Sequence, residues 1–217
     1  MHPPTTPEEA ATVQREIAAR VDLRDDGGAV DVVAGLDISY EVGSDRAVAA
    51  AVAVRCGTGE VLGEALVEGE ARFPYVPGLL AFREVPLLLA ALGALTTPVD
   101  LLLCDGQGLA HPQRAGVACH LGVLTGLRSV GCAKNHLVGE HTEPGRERGA
   151  RSPLVDGGTV VGTVLRTQAG VRPVYVSPGH RIGVERAAEV VLHLAARYRL
   201  PDPVRRADHI SRQALKR

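Results

Sequence analysis

The chain contains very few aromatic residues and no long apolar run. Tryptophan is absent and aromatic residues make up 3% of the 217 residues, so the core has to be built mainly from Ala, Val and Leu. The longest apolar run, residues 85–95, is interrupted by Pro86 and Gly93 and is shorter than the roughly 20 residues that a membrane-spanning helix needs. The first ten residues, MHPPTTPEEA, lack the basic and apolar regions of a signal peptide. We therefore expect a cytoplasmic protein that does not enter a membrane.

Paired cysteines and two common catalytic motifs are also missing. None of the four cysteines has C-x-x-C spacing, which argues against a zinc ribbon and a redox dithiol. We interpret them as reduced core residues; they are Cys56, Cys104, Cys119 and Cys132. The chain has no G-x-x-x-x-G-K-[ST] phosphate loop and no G-x-S-x-G element, which argues against a P-loop hydrolase and weakens a serine-hydrolase interpretation.

Charge is unevenly distributed, although the formal net charge is only −1. Residues 181–217 contain nine Arg or Lys against four Asp or Glu, a local charge of +5, so the remaining residues carry −6. A basic segment on a nearly neutral protein is typical of a phosphate-binding face, and also of a solvated helix surface; charge alone leaves both interpretations open. Lysine is scarce, and Lys134 is one of only two lysines in the chain.

The pattern of elements predicts a single α/β domain over residues 1–217. Three consecutive strands with tight turns indicate an antiparallel meander, and the apolar run 99–104 is typical of a buried parallel strand. This order favours a mixed sheet, antiparallel meander plus parallel strands, with helices on both faces, as in RNase H-like domains. Residues 140–152 are predicted to be an exposed loop. The predicted strands are 30–40, 47–56, 60–68, 99–104, 129–133, 159–165 and 174–176, and the predicted helices are 6–21, 79–95, 112–126, 181–198 and 201–214.

Three acidic residues lie in apolar surroundings. Asp37 lies within the strand sequence VVAGLDISY, Asp105 directly follows LLLC, and Glu84 lies on a mostly apolar helix. A carboxylate in such a place is unfavourable unless it is paired, hydrogen-bonded or bound to a metal. Together the three acids predict an oxygen-ligand site for Mg²⁺. Taken singly, each also fits a strand-end carboxylate that caps a turn.

The sequence DGQG begins at Asp105 and is followed closely by His111. Two glycines permit positive φ angles and close approach of the backbone to a ligand, but a plain tight turn explains them equally well. His111 precedes a proline at a predicted helix start, where it can contact a phosphate or cap the helix. Both interpretations of the glycines stay open at this point, whereas the helix cap is the favoured interpretation of His111.

Several sequence blocks together resemble endonuclease V, a family of metal-dependent nucleases that act at deaminated adenine, which is inosine. The resemblance extends from about residue 32 to residue 212, and the second and third blocks in combination are highly specific. The blocks are AGLDISY (34–40), PYVPGLLAFRE (74–84), and DGQGLAHP (105–112) with GVACHLGV (116–123). Shorter matches are GCAK (131–134), SPGH (177–180), and LP (200–201) with ADH (207–209).

The resemblance implies an RNase H-like fold and a metal-dependent active site. Asp37, Glu84 and Asp105 correspond to the family's metal-binding catalytic acids, with Mg²⁺ as cofactor and Mn²⁺ as a substitute. Lys134 corresponds to the active-site lysine of the family and His209 to its late active-site histidine. The assignment of the metal-binding acids agrees with the three acids singled out from their apolar surroundings.

The resemblance also implies how a damaged base is recognised. Tyr75 corresponds to a wedge that fills the gap left when the target base leaves the helix; the residues alone favour a half-buried loop aromatic at this position. The positions that correspond to the base pocket are Leu80, Gly106, Gly116 and Val117. Contacts to backbone phosphates are assigned to Arg83, His111 and the C-terminal arginines.

The implied reaction is hydrolysis of the second phosphodiester bond 3′ to deoxyinosine, which leaves 3′-hydroxyl and 5′-phosphate ends. The expected partner is inosine-containing DNA, and inosine-containing RNA stays open because no contact to a 2′-hydroxyl can be identified. Another RNase H-like nuclease, such as the nuclease half of an excision-repair protein, would share the acids but lack the PYVP block. A non-cleaving binder of inosine-containing nucleic acid is a further alternative. We expect a monomer.

Overall fold

The computed structural model describes residues 4–25 and 27–216. Within these residues the chain forms five α-helices and eight β-strands, and none of the helices is long and apolar enough to cross a bilayer. The helices are α1 (Pro7–Arg20), α2 (Ala81–Ala94), α3 (Val117–Thr125), α4 (Val184–Leu194) and α5 (Asp202–Leu215). The strands are β1 (Val32–Tyr40), β2 (Arg46–Arg55), β3 (Val61–Glu70), β4 (Leu101–Cys104), β5 (Arg128–Ala133), β6 (Arg151–Asp156), β7 (Thr159–Leu165) and β8 (Val174–His180).

All eight strands form one mixed sheet in the order β3-β2-β1-β4-β5-β8-β7-β6. The central strands β1, β4 and β5 run parallel to one another, whereas the remaining neighbours are antiparallel. The meander of β1 to β3 and the buried parallel strand β4 confirm the prediction. Because three parallel strands are adjacent, their carboxyl ends meet at one edge of the sheet.

Helices cover both faces of the sheet, as predicted. α4 and α5 pack with alternate strand residues such as Val33, and α2 and α3 pack with the intervening residues such as Ala34. Gly35 allows α5 to lie directly against β1, because a Cβ at this position would lie 2.3 Å from the carbonyl carbon of Pro203. All four cysteines are free and three of them are buried, in agreement with a role in the core.

Four elements differ from the prediction by more than two residues. The helix expected from residue 112 begins only at Val117, because the preceding segment contacts β8, where the Leu109 N–H donates to the Pro178 carbonyl (2.7 Å). Strand β6 was not predicted; it begins at Arg151, inside the expected loop, and pairs with β7 at the sheet edge. Strand β8 continues to His180. Helix α4, Val184–Leu194, is shorter than the predicted helix 181–198.

α3 buries His120, and this gives the stability of the fold a pH dependence. The imidazole is 3% exposed and packs edge-on against the Phe82 ring. Burial lowers the pKa of His120 to about 4, and nearby His111 adds to the effect. The unfolded chain has a histidine pKa of about 6.5, so acid protonates the unfolded state first. The contribution of neutral His120 to stability is therefore complete above pH 6.5 and is lost as the pH falls towards 4.

We expect His120→Leu to remove this contribution to the pH dependence. Between pH 7 and pH 5 the wild type should lose roughly 2 kcal/mol more free energy of unfolding than the variant does. Urea denaturation of both proteins at the two pH values in EDTA measures the difference, and the active-site acids cancel because both proteins contain them. Equal losses in the two proteins would contradict the expectation.

Candidate active site

The carboxyl ends of three parallel strands carry three of the predicted site residues. Asp37 lies in β1 one residue beyond Leu36, which pairs with Cys104 of β4, so Asp37 and Asp105 are neighbours across the two strands. The N–H of Asp105 donates to the carbonyl of Leu36 (3.2 Å). Lys134 directly follows β5, the next parallel strand. The sheet therefore brings Asp37, Asp105 and Lys134 to one edge.

Glu84 reaches the same place from the first turn of α2. The Tyr40 hydroxyl donates a hydrogen bond to Oε1 of Glu84 (3.4 Å). Glu84, Asp37 and Asp105 line a cavity of about 690 Å³, whose walls come from β1, the turn after it, α2 and α5. Three acids from three separate elements thus share one cavity.

Two of these acids are destabilised in their charged form. Asp37 and Glu84 are each 8% exposed. Burial raises the pKa of Asp37 to about 8; the charges of Asp105 and Asp208 act in the same direction and Lys134 opposes them. Burial raises the pKa of Glu84 to about 8 as well, with Asp105 adding to the effect. A cation placed among these carboxylates would favour their charged forms.

Lys134 forms an ion pair with Asp105 through Nζ and Oδ2. Burial by itself would lower the pKa of Lys134, but the hydrogen bond to Asp105 and the charges of Asp105, Asp37 and Asp208 more than offset burial, so the pKa is raised. The guanidinium of Arg199 donates to the Lys134 carbonyl (2.6 Å) and thereby anchors the end of β5. A protonated ammonium group is therefore held beside the acids.

The chemistry of the three acids fits a hard divalent cation. Carboxylate oxygens are the ligands that Mg²⁺ prefers, and buried carboxylates gain most from a nearby positive charge. Among residues 4–25 and 27–216, no three His, Cys, Asp or Glu side chains are grouped closely enough to hold an ion as they stand. The carboxylate oxygens of the three acids suit a metal ion, but the side chains would have to move closer together to bind it.

α5 closes one side of the cavity and adds an acid that the sequence analysis missed. Asp208 and Arg212 line the cavity and pair with each other at 2.7 Å. His209, the residue named by the resemblance, is exposed and lies outside the cavity lining. Consecutive helical residues point about 100° apart, and Asp208 lies four residues after Val204 of the buried helix face. This helical period is a signal that could have identified Asp208.

Tyr75 lies on the loop between β3 and α2, residues 71–80, which we call the Tyr75 loop. The Tyr75 side chain is 72% exposed. Phe73 and Leu79 of the same loop are buried in a small cluster with Ala10 of α1. Gly78 near the end of the loop has a φ of 82°, a region that favours glycine. Buried residues thus anchor the loop, while the Tyr75 ring is exposed to solvent.

Three of the four predicted base-pocket residues lie together at the start of α3. A Cβ on Gly106 would lie 2.8 Å from Cγ1 of Val117, and a Cβ on Gly116 would lie 2.2 Å from the carbonyl oxygen of Gln107. The two glycines therefore allow the strand exit and the helix start to touch. Leu80 is 42% exposed at the N-cap of α2, on the neighbouring segment.

Two residues predicted to contact phosphates are engaged inside the chain. The Arg83 side chain is 13% exposed, and its guanidinium donates to the Phe73 carbonyl (2.6 Å) and to Asp45 (3.3 Å). His111 is 7% exposed, its Nδ1 accepts from the Gln113 N–H (3.2 Å), and burial lowers its pKa to about 4. This placement favours the local hydrogen-bonding interpretation of His111 and gives Arg83 the same kind of role.

Known proteins resemble this chain over nearly its whole length. The sequence profile of endonuclease V matches residues 15–209. Endonuclease V of Streptomyces avermitilis is 50% identical over 215 residues, 98% of this chain and 94% of that protein. Its crystal structure superposes with a TM-score of 0.94 over 99% of this chain and 95% of that chain. Endonuclease V of Ciona intestinalis, crystallised with a 24mer DNA containing an inosine followed by a ribo-adenosine, has a TM-score of 0.86 and 28% identity over 96% and 97% of the two chains.

A more distant likeness concerns the fold alone. A. aeolicus Argonaute is 20% identical and has a TM-score of 0.54 over 88% of this chain and 29% of that chain. The eight-stranded mixed sheet with helices on both faces is an RNase H-like fold, and the protein is a nuclease built on it. Within that class, the chain belongs to the endonuclease V family.

Proposed function

We propose that the protein is a metal-dependent endonuclease that recognises deoxyinosine in DNA and hydrolyses the second phosphodiester bond 3′ to it. The observation that carries this proposal is that Asp37, Glu84 and Asp105 line one cavity beside Lys134. The choice of lesion is supported by the related Ciona intestinalis structure, whose DNA contains an inosine. The products would be a 3′-hydroxyl and a 5′-phosphate.

Different residues of the cavity would contribute to different parts of phosphodiester hydrolysis. Asp37, Asp105 and Glu84 would hold Mg²⁺, for which Mn²⁺ can substitute. When bound, such an ion supplies Lewis-acid stabilisation of the phosphate charge. Water attacks phosphorus, the bond to the 3′ oxygen breaks, and that oxygen leaves as the hydroxyl after taking a proton. Lys134, held protonated beside Asp105, stabilises the negative charge that develops in the transition state.

Lesion recognition would use the Tyr75 loop together with Gly106 and Gly116, which meet at the start of α3 and which we call the glycine segment. Extruding a base costs a few kcal/mol, and an inserted ring partly offsets the lost stacking. The exposed Tyr75 ring is suited to that role. The two glycines pack the strand exit against the helix start, and backbone N–H and C=O groups of these segments would read the edge of hypoxanthine.

The basic end of the chain would contact backbone phosphates. Arg212 and Lys216 line the cavity from α5 and its C-cap, so part of the local positive charge lies beside the acids. Neutralising phosphates releases counterions, so binding should weaken as salt is raised.

Inosine-containing RNA is a second candidate substrate. The observation that favours it is the ribo-adenosine that follows the inosine in the nucleic acid bound by the Ciona intestinalis relative. The carboxylates and the ammonium group of the cavity would act on the phosphate, which ribose and deoxyribose backbones have in common.

Three substrates incubated with the purified protein and Mg²⁺ test the proposal: a duplex with one deoxyinosine, its adenine control, and an RNA with one inosine. We expect a nick one nucleotide 3′ of the inosine, absent in EDTA and absent from the adenine control. The ratio of DNA to RNA cleavage names the preferred substrate. Binding without a nick in Mg²⁺ or Mn²⁺ would support the non-cleaving binder, and cleavage without inosine preference would support another RNase H-like nuclease.

Asp208 and its neighbour His209 provide a paired test of the site. We expect Asp208→Asn to lower the cleavage rate about 10- to 100-fold, the range typical of residues that orient metal ligands, because the Asp208 charge acts on both Asp37 and Lys134. His209→Ala should have the smaller effect, since this side chain is exposed outside the cavity. Single-turnover rates on the inosine duplex measure both. A larger loss at His209 would restore the assignment made from the resemblance.

A further inference from the structure

Gln14 on α1 is a buried polar side chain that the proposed mechanism does not use. It is 1% exposed, on a helix that lies outside the sheet and far from the acids in sequence. Its amide nitrogen donates to the carbonyl of Gly78 (2.8 Å) and to the carbonyl of Ala115 (3.4 Å). An amide has two N–H groups, so both of the donors of Gln14 are used.

The two carbonyls belong to the two segments that the proposed function assigns to lesion recognition. Gly78 lies in the Tyr75 loop, three residues after Tyr75 itself. Ala115 directly precedes Gly116, which belongs to the glycine segment and is the N-cap of α3. One side chain therefore connects the segment that carries the exposed ring to the segment that would hold the base.

α1 contacts the two segments through apolar residues on either side of Gln14, and Gln14 itself hydrogen-bonds to both segments. Ala10, one turn earlier on the same helix, packs against Phe73 and Leu79 of the Tyr75 loop. Ile17, one turn later, packs against α3. Gln14 lies between them and bonds to both sides.

We propose that Gln14 is a positioning residue that holds the Tyr75 loop in register with the base pocket, an inference that rests on the proposed function. Without the amide, the carbonyls of Gly78 and Ala115 lose these partners and the spacing of the two segments is no longer set. The Tyr75 ring then fills the gap left by the extruded base less completely. This matters for duplex substrates, in which a base has to be extruded, and much less for single strands, in which no paired stack has to be opened.

Gln14→Met tests the proposal because methionine has a similar length and no donor. On an inosine duplex we expect the single-turnover cleavage rate to fall about tenfold, whereas on an inosine single strand it should fall less than about threefold. Ile17→Ala is the matched control, because it removes packing of the same helix against Ala115 and α3 but leaves both hydrogen bonds of the Gln14 amide in place. It should lower thermal stability and leave the duplex-to-single-strand ratio unchanged. An equal fall on both substrates, or the same change of ratio in Ile17→Ala, would overturn the proposal.

A double-mutant cycle with Tyr75→Ala gives the second readout. If Gln14 acts through Tyr75, Gln14→Met should change the duplex rate by less than about twofold in the Tyr75→Ala background, because coupled residues are non-additive. Full additivity would overturn the proposal. Should Gln14→Met fail to fold, Gln14→Asn, which keeps the amide but shortens its reach, enters the same comparisons. Absence of any inosine cleavage by the wild type would overturn the proposed function itself, and this inference with it.

Discussion

Asp37→Asn and Asp105→Asn are each expected to lower the cleavage rate by about 10³-fold, equivalent to about 4 kcal/mol of transition-state stabilisation. Each substitution keeps the shape of the side chain and removes a negative oxygen ligand from the shared cavity. Binding of the inosine duplex should remain measurable by gel shift, because the Tyr75 loop and the glycine segment are unchanged. Retention of cleavage within tenfold of the wild type in either variant would refute the assignment of these acids as metal ligands.

The same substitution at Asp37 should separate catalysis from stability. Burial and neighbouring acids disfavour the charge of Asp37, so a neutral amide removes an unfavourable interaction from the metal-free protein. We expect Asp37→Asn to melt at or above the wild-type temperature in EDTA while its cleavage is lost. Glu41→Gln is the matched control: Glu41 lines the same cavity but is more exposed, and its substitution should leave cleavage largely intact.

Lys134→Met is expected to lower the cleavage rate about 10²- to 10³-fold, the range observed when one preorganised stabilising group is removed from a transition state. The expected loss of rate follows from the position of the Lys134 ammonium, which is paired with Asp105 at the strand edge where the acids meet. Binding should weaken much less than the rate falls. Single-turnover rates at saturating enzyme separate these two effects.

The chain supplies its own control for Lys134. Lys216, the second of its two lysines, also lines the cavity, so Lys216→Met removes the same charge from the same cavity without touching Asp105. We expect it to weaken binding in a salt-dependent manner and to change the single-turnover rate only slightly. Equal losses of rate in the two variants would mean that total charge, not the placement of Lys134, governs cleavage.

The strand pattern predicted the centre of the site because the relevant signals are local. Asp37 and Asp105 stand out as carboxylates in apolar strands, and adjacent parallel strands necessarily bring their carboxyl ends to one edge. The helix start at Thr6 was equally visible, since the capping box is contained within four residues. In each case the sequence neighbourhood determines the outcome.

The features that were missed depend on contacts between distant segments. β6 contains Pro153 and faces solvent on alternate residues, so its strand signal is weak and its existence depends on pairing with β7. Arg83 is polar in sequence, but the carbonyl of Phe73 and the carboxylate of Asp45 turn it inward. The choice between Asp208 and His209 depends on how α5 is rotated against β1, which no short motif records.

Because α5 packs on β1 and lines the cavity, the complete cavity can form only after α5 has been synthesised. Asp37 is synthesised some 170 residues before Asp208 and Arg212, which line the same cavity from α5. The hydroxyls of Ser39 and Ser211 meet at 2.7 Å across this junction. A nascent chain can therefore form the meander and the central strands while the cavity still lacks one wall. Catalytic competence would then arise only after α5 has been synthesised, as a late event of long-range contact formation.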